Sequence, residues 1–207
     1  MSKNRLFDKV FRRKKDGLNF RRRRKKIDFN KVKYIAVFLV EIAFVILLGY
    51  LLVVAFGKQV SCSNSSMEPT YITDDTLLVN TIAYKIGSPE RGEIIAFKPQ
   101  SNVNASYSIK RIIGKPGETI QIKNGRIYIN GERYKELIEV ETINNPGIAA
   151  SEITLGENQY FVLGDNRNNS SDSRFDEVSI VKRKEILGKA WLRIWPLSSF
   201  GVVEKGN

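Results

Sequence analysis

The sequence predicts a mostly β protein: a single, mostly antiparallel β domain behind one N-terminal transmembrane helix. Three observations predict it. An apolar run covers residues 34–56, short runs of branched and aromatic residues follow residue 70, and one Asn-Gly hairpin stands out at 119–134.

The chain has 207 residues and a formal net charge of +12, a balance that first suggests a nucleic-acid partner. The position of the charge argues otherwise. Residues 1–33 hold fifteen Lys and Arg against Asp8, Asp16 and Asp28, which accounts for the whole excess, and the remainder is neutral. Directly after this tail comes YIAVFLVEIAFVILLGYLLVVAF, with Glu41 its only charge. At ~1.5 Å rise per residue such a run crosses a hydrocarbon core of about 30 Å as a helix. Glu41 falls in the first third, where a carboxylate is tolerated by protonation or by reaching an interface. The run is too long and too far from the start for a cleaved signal peptide, so it reads as an anchor. Positive charge marks the cytoplasmic side, so the N-terminus is expected in the cytoplasm. RRRRKK at 21–26 then reads as a topology signal touching anionic lipid. The expected division is a basic cytoplasmic tail at 1–33, an anchor at 34–57 and an extracytoplasmic β domain at 58–207.

Cys62 is the only cysteine, so no intramolecular disulfide can form. The preceding KQVS matches a lipoprotein cleavage site poorly, and the residue reads as an unmodified thiol.

In the outer part, TLLVNTI at 76–82, EIIAFK at 93–98 and YSIKRII at 107–113 read as strands. In TIQIKNGRIYINGERY, Ile120 and Ile122 alternate with polar residues, Asn124-Gly125 supplies a two-residue turn, and Ile127 and Ile129 alternate on return. Asn130-Gly131 turns the chain again. Residues 135–157 read as a less regular excursion. NQYFVLGD at 158–165 enters a polar loop, DEVSIVKRKEI at 176–186 has a faint helical pattern weakened by Val178, Ser179 and Ile180, and ILGKAWLRIWP at 186–196 reads as a last strand.

The chain contains no histidine. That removes the Ser-His-Asp triad, the Cys-His pair and the histidine-bearing zinc hydrolase sites. Three serines, Ser63, Ser65 and Ser66, crowd SNSSMEPT just beyond the anchor, and a serine nucleophile here needs another base. A desolvated lysine is one, because burial disfavours its charged form. Lys110, alternating with Ile109 and Ile112 on a predicted strand, could be carried into an apolar interior. Taken alone, a strand lysine is ordinarily solvated and serines after a span ordinarily form a linker.

Four ordered segments change that reading. SSMEPT at 65–70, RGEIIAFK at 91–98, KRIIGKPGE at 110–118 and GDNRNNSSDSR at 164–174 together resemble the bacterial type I signal peptidases, membrane-anchored Ser-Lys proteases. Glu93 stands where an aspartate is more usual in that family. The resemblance implies a signal-peptidase/repressor-type fold with Ser66 as nucleophile, Lys110 as general base and Ser170 holding the lysine amine. It implies that Asp172 and Arg174 brace the loop presenting Ser170, with Asp165 and Arg167 architectural. Asn64 stands where relatives carry serine or glycine, and its amide is expected to assist the oxyanion beside the Ser66 N–H. Ser65, Met67, Tyr107, Ser108 and Ile109 are expected along the substrate, which adds as an extended strand. The implied substrates are secreted preproteins with an Ala-x-Ala type site, and no cofactor or metal is called for. Membrane lipid and the protein-export translocon are the other partners implied, with no nucleic acid, in a single-pass protein of the bacterial cell membrane. Two rivals stand beside this: a soluble self-cleaving repressor-type protease, and a non-enzymatic anchored β module.

Overall fold

The computed structural model describes residues 29–99, 106–136, 138–203 and 205. The tail up to residue 28, with its run at 21–26, lies outside the described residues. The chain divides into two compact units, Met1–Ile46 and Leu47–Asn207.

Helix α1 spans Phe29–Phe56, starting five residues before the expected anchor because Lys31 and Lys33 continue the helix rather than cap it. Its residues from Phe29 to Val53 are exposed and, by length and composition, suffice to cross a membrane. Gly57 ends it and opens the first strand.

Twelve strands follow among the described residues: β1 (Gly57–Ser61), β2 (Thr76–Asn80), β3 (Ile94–Phe97), β4 (Ser108–Gly114), β5 (Thr119–Lys123), β6 (Arg126–Ile129), β7 (Glu132–Arg133), β8 (Ile153–Thr154), β9 (Gln159–Leu163), β10 (Val181–Lys182), β11 (Ile186–Trp195) and β12 (Gly201–Val202). An eight-stranded sheet runs β1-β2-β11-β3-β4-β9-β10, with β12 on β11, and a four-stranded sheet runs β7-β6-β5-β8. Every ladder is antiparallel. The mostly antiparallel β class is therefore what the chain adopts.

The hairpin forms in the expected register, Ile120 opposite Ile129 and Ile122 opposite Ile127. Asn124 (φ 49) and Gly125 (φ 70) supply the two positive φ angles that a tight right-twisting turn needs. The four isoleucines are buried with Ile113, Phe161 and Leu163, each contributing roughly 1.5–3 kcal/mol relative to exposure. A second cluster packs Met67 with Leu77, Val79, Ile94 and Ile109.

Residues 176–186 correct the helical expectation. The segment holds turns, the two-residue β10 and a 3-10 turn at Arg183–Glu185. Ser179 takes φ 57, outside helical space, and Val178 and Val181 are drawn into a core with Phe97, Ile112 and Val162. Tertiary burial of β-branched residues outweighs weak helical patterning here. The excursion at 135–157 is irregular apart from a 3-10 turn at Gly147–Ala150 and β8.

Candidate active site

Lys110 and Arg111 are neighbours on β4, so they point to opposite faces of the sheet. Lys110 points at the turn that follows β1. There a 3-10 turn, Ser65–Met67, is capped by Asn64, whose Oδ1 accepts the Ser66 N–H at 3.2 Å. Lys110 Nζ lies 2.7 Å from Ser66 Oγ and donates to the Ile109 carbonyl at 3.1 Å. Ser66 is 4% exposed and Lys110 2%.

Burial pushes the Lys110 ammonium down from 10.5 to about 8, against the opposing pull of Asp172 and Asp165. A neutral amine with its lone pair toward a serine hydroxyl is the arrangement a serine needs to become a nucleophile. Cys62, buried nearby, has its thiol pushed up to about 12 by burial and by Asp75, so it holds its proton and adds no charge.

Three further elements fix the pair. Asp165, just past β9, takes Arg111 in a two-pronged ion pair at 2.8 and 2.6 Å, with the side chains 1% and 2% exposed. Asp165 also accepts from Thr70 Oγ1 at 2.6 Å, which ties the segment at 65–70 to β4 through Arg111. Asn166 donates its backbone N–H to the Ser66 carbonyl and its amide to the Ser65 carbonyl, both at 3.1 Å, and Asn169 reaches Ser65 Oγ at 2.9 Å. Asp172 pairs with Arg174 at 2.8 and 2.9 Å and accepts the Gly164 N–H, while Arg174 also donates to the Arg167 carbonyl. Arg167 donates to the Gly164 carbonyl and pairs with Glu136.

Several expected roles meet a different geometry. Of the two oxyanion donors anticipated from sequence, the Ser66 N–H is taken up by Asn64 Oδ1, and the Asn64 amide N–H lies outside that bond. Ser170 stands beside the turn that carries Ser66, yet its buried hydroxyl makes no hydrogen bond among the described residues, Lys110 Nζ included. Met67, 1% exposed, and Ile109 pack into the core rather than along a groove. Ser65, Tyr107 and Ser108 keep partial exposure.

The sheet leaves room beside them. β4 pairs with β3 from Ser108 to Arg111 but with β9 only from Arg111 onward. On the β9 side, Ser108, Ile109 and Lys110 therefore face no strand among the described residues, and a short open edge ends at the lysine.

Gly164 shows how closely the loop presses on Ser66. A Cβ there would fall 2.2 Å from Ser170 Oγ and 2.4 Å from the Ser66 carbonyl oxygen, and a backbone oxygen cannot swing aside. Gly164→Ala is expected to displace Ser66 and lower peptide cleavage by about a hundredfold, the usual cost of a misplacement near 1 Å. Steady-state kinetics of the folded variant check this.

Thr70, Arg111, Glu136, Asn166 and Asn169 had no assigned role in the sequence. Their partners Asp165, Arg167 and Ser65 lie 31 to 104 residues away, and no local spacing announces such pairs.

A family model described as "Signal peptidase, peptidase S26" matches residues 33–195. The chain is 40% identical over 144 residues to "Probable signal peptidase I-2" of Synechocystis sp., covering 68% of this chain and 64% of that protein, just under two thirds of its length. It is 37% identical over 168 residues to "Signal peptidase I" of Leptolyngbya laminosa, covering 78% of this chain and 79% of that one. A crystal structure of a signal peptidase I from Enterococcus faecalis V583 is 33% identical, covers 50% of this chain and 97% of its own, and superposes with a TM-score of 0.38. With a family match over most of its length and named relatives at this identity, the chain belongs to the signal peptidase family, peptidase S26, whose members remove signal peptides.

Proposed function

We propose that this chain is a signal peptidase I, a serine endopeptidase that cuts signal peptides from secreted preproteins with a Ser66–Lys110 dyad. The observation that carries the reading is the 2.7 Å approach of Lys110 Nζ to Ser66 Oγ in a site closed to solvent.

Neutral Lys110 takes the proton of Ser66 as Oγ attacks the scissile carbonyl. Lys110 then returns that proton to the leaving amine as the C–N bond breaks, leaving an ester on Ser66. A water, deprotonated by Lys110, attacks the ester and restores the serine. For the Ser66 N–H to meet the oxyanion, substrate binding must first release it from Asn64 Oδ1. The preprotein lies extended against the open edge at Ser108–Lys110 on one side and residues 62–65 on the other. Ala-x-Ala specificity comes from the family resemblance.

The apolar helix and the basic tail support a single-pass protein of the bacterial cell membrane, N-terminus in the cytoplasm, with residues beyond the anchor outside. A tether at the outer face raises the concentration of the site where preproteins leave the export translocon.

The test is cleavage of a synthetic Ala-x-Ala peptide by the detergent-solubilised full chain. Wild type is expected to cut after the second alanine, and Ser66→Ala to be inactive. Because the base must be neutral, kcat/KM is expected to rise about tenfold per pH unit up to pH 8 and level off above it. Equal cutting by Ser66→Ala would sink the dyad, and a profile flat from pH 6 to 9 would remove Lys110 as the base.

A further inference from the structure

An open groove of about 630 Å³ lies away from the Ser66–Lys110 pair, lined by Lys85, Lys98, Lys184, Tyr107, Glu185 and Leu187. Its charge is unbalanced. Lys85 and Lys184 are exposed and Lys98 partly so, and none of the three pairs with a carboxylate among the described residues. Glu185 is the one acid on the wall, and its Oε2 already accepts the Lys182 N–H at 2.9 Å. Residues 100–105, which follow Lys98 and Pro99, read QSNVNA and bring no charge of either sign. Three lysines against one partly occupied carboxylate, in a part of the chain that is neutral as a whole, call for an anion.

The groove's wall indicates where that anion comes from. Tyr107 is held by Lys58, whose Nζ donates to the phenol oxygen at 2.9 Å and stands 4.5 Å from the ring centre; Lys98 Nζ lies 6.0 Å from the same ring. Lys58 is the second residue after Phe56, the last of the apolar helix. On the membrane-anchored reading, a lysine-lined recess bound to the first residues past the span is within reach of lipid headgroups, where basic side chains meet anionic phosphates.

We propose that this groove takes the phosphate headgroup of an anionic phospholipid in the outer leaflet. The proposal rests on the membrane-anchored reading above. Three ammonium groups converge on the phosphate oxygens, and the stems of Lys98 and Lys184 with Leu187 meet the glycerol and upper chain. Capture there would hold the start of β4, and with it the open edge at Ser108, at headgroup level.

The test reconstitutes the full chain in nanodiscs of phosphatidylcholine alone, or of phosphatidylcholine with about 30% phosphatidylglycerol. Each lysine is then followed by mass spectrometry during reaction with a neutral acetylating reagent. Lys85, Lys98 and Lys184 are expected to react at least threefold more slowly in the anionic discs, with Lys123 and Lys135, exposed on and beyond the smaller sheet, unchanged. Equal rates in the two discs, or equal slowing of Lys123 and Lys135, overturn the headgroup site. Slowing in neutral discs on adding inorganic phosphate at millimolar concentration, matching the anionic discs, assigns the groove to a soluble anion and overturns the lipid. Failure of the chain to co-elute with neutral discs removes the anchor itself, and this proposal falls with it.

Discussion

Lys110→Met is expected to lower cleavage by about 10² to 10⁴, the share that a positioned acid-base group ordinarily supplies, and to make the protein more stable at pH 7. The gain comes from removing a buried ammonium. Its folded-state value, about 8, lies below the ordinary lysine value of 10.5. Between those limits the unfolded chain holds a proton that the folded chain has lost, so stability at this position rises with pH through the window. Below pH 8 the cost is complete, on the order of 3 kcal/mol from a shift of that size. Methionine has similar length and no charge. Chemical denaturation of wild type and variant should show a gain of about 1–3 kcal/mol at pH 7 that fades by pH 11. A variant less stable than wild type at pH 7 would contradict the desolvated-lysine account. Lys110→Arg is expected to be inactive without the gain, because a guanidinium stays charged.

Asp165→Ala is expected to be the most damaging single change outside the dyad. It strands the Arg111 guanidinium in a site 2% exposed and frees Thr70, so the fold loses its brace and the nucleophile turn its tie to β4. Breaking a buried ion pair by removing one partner ordinarily costs about 3–5 kcal/mol. A large part of a marginal stability is then gone. Thermal unfolding should show the loss directly. The double variant Arg111→Met/Asp165→Leu is expected to recover much of the stability but not the cleavage, because Thr70 remains untied. Recovery of both would show that Asp165 acts only as a counter-charge.

The local structure was legible where local rules decide it. Asn124-Gly125 between alternating isoleucines specifies its hairpin, and the strands at 76–80, 94–97 and 108–114 lie where branched residues cluster. Residues 176–186 misled because their helical pattern was faint and the burial of Val178 and Val181 was set by partners far along the chain. Ser66 and Lys110 were picked out by chemistry, the absence of histidine and four ordered motifs, and the fold brings them together across 44 residues. Met67 and Ile109 were expected at the substrate, but spacing alone does not tell which face of a strand or turn meets the core. The Arg111–Asp165 and Arg167–Glu136 pairs were invisible for the same reason: charged residues declare their partners only once the sheet is assembled.

The open edge at Ser108–Lys110 has a consequence for timing. Three residues of unpaired backbone are too few to dock against another folded sheet, but enough to align a chain that has not yet folded. A site of this kind tests the physical state of its substrate as well as its side chains. A preprotein whose cleavage region folds or packs before reaching the edge has no free strand to offer, and it escapes. On the proposed function, processing becomes a race between export and folding, and preproteins with slow-folding mature N-termini are the ones this geometry would serve best.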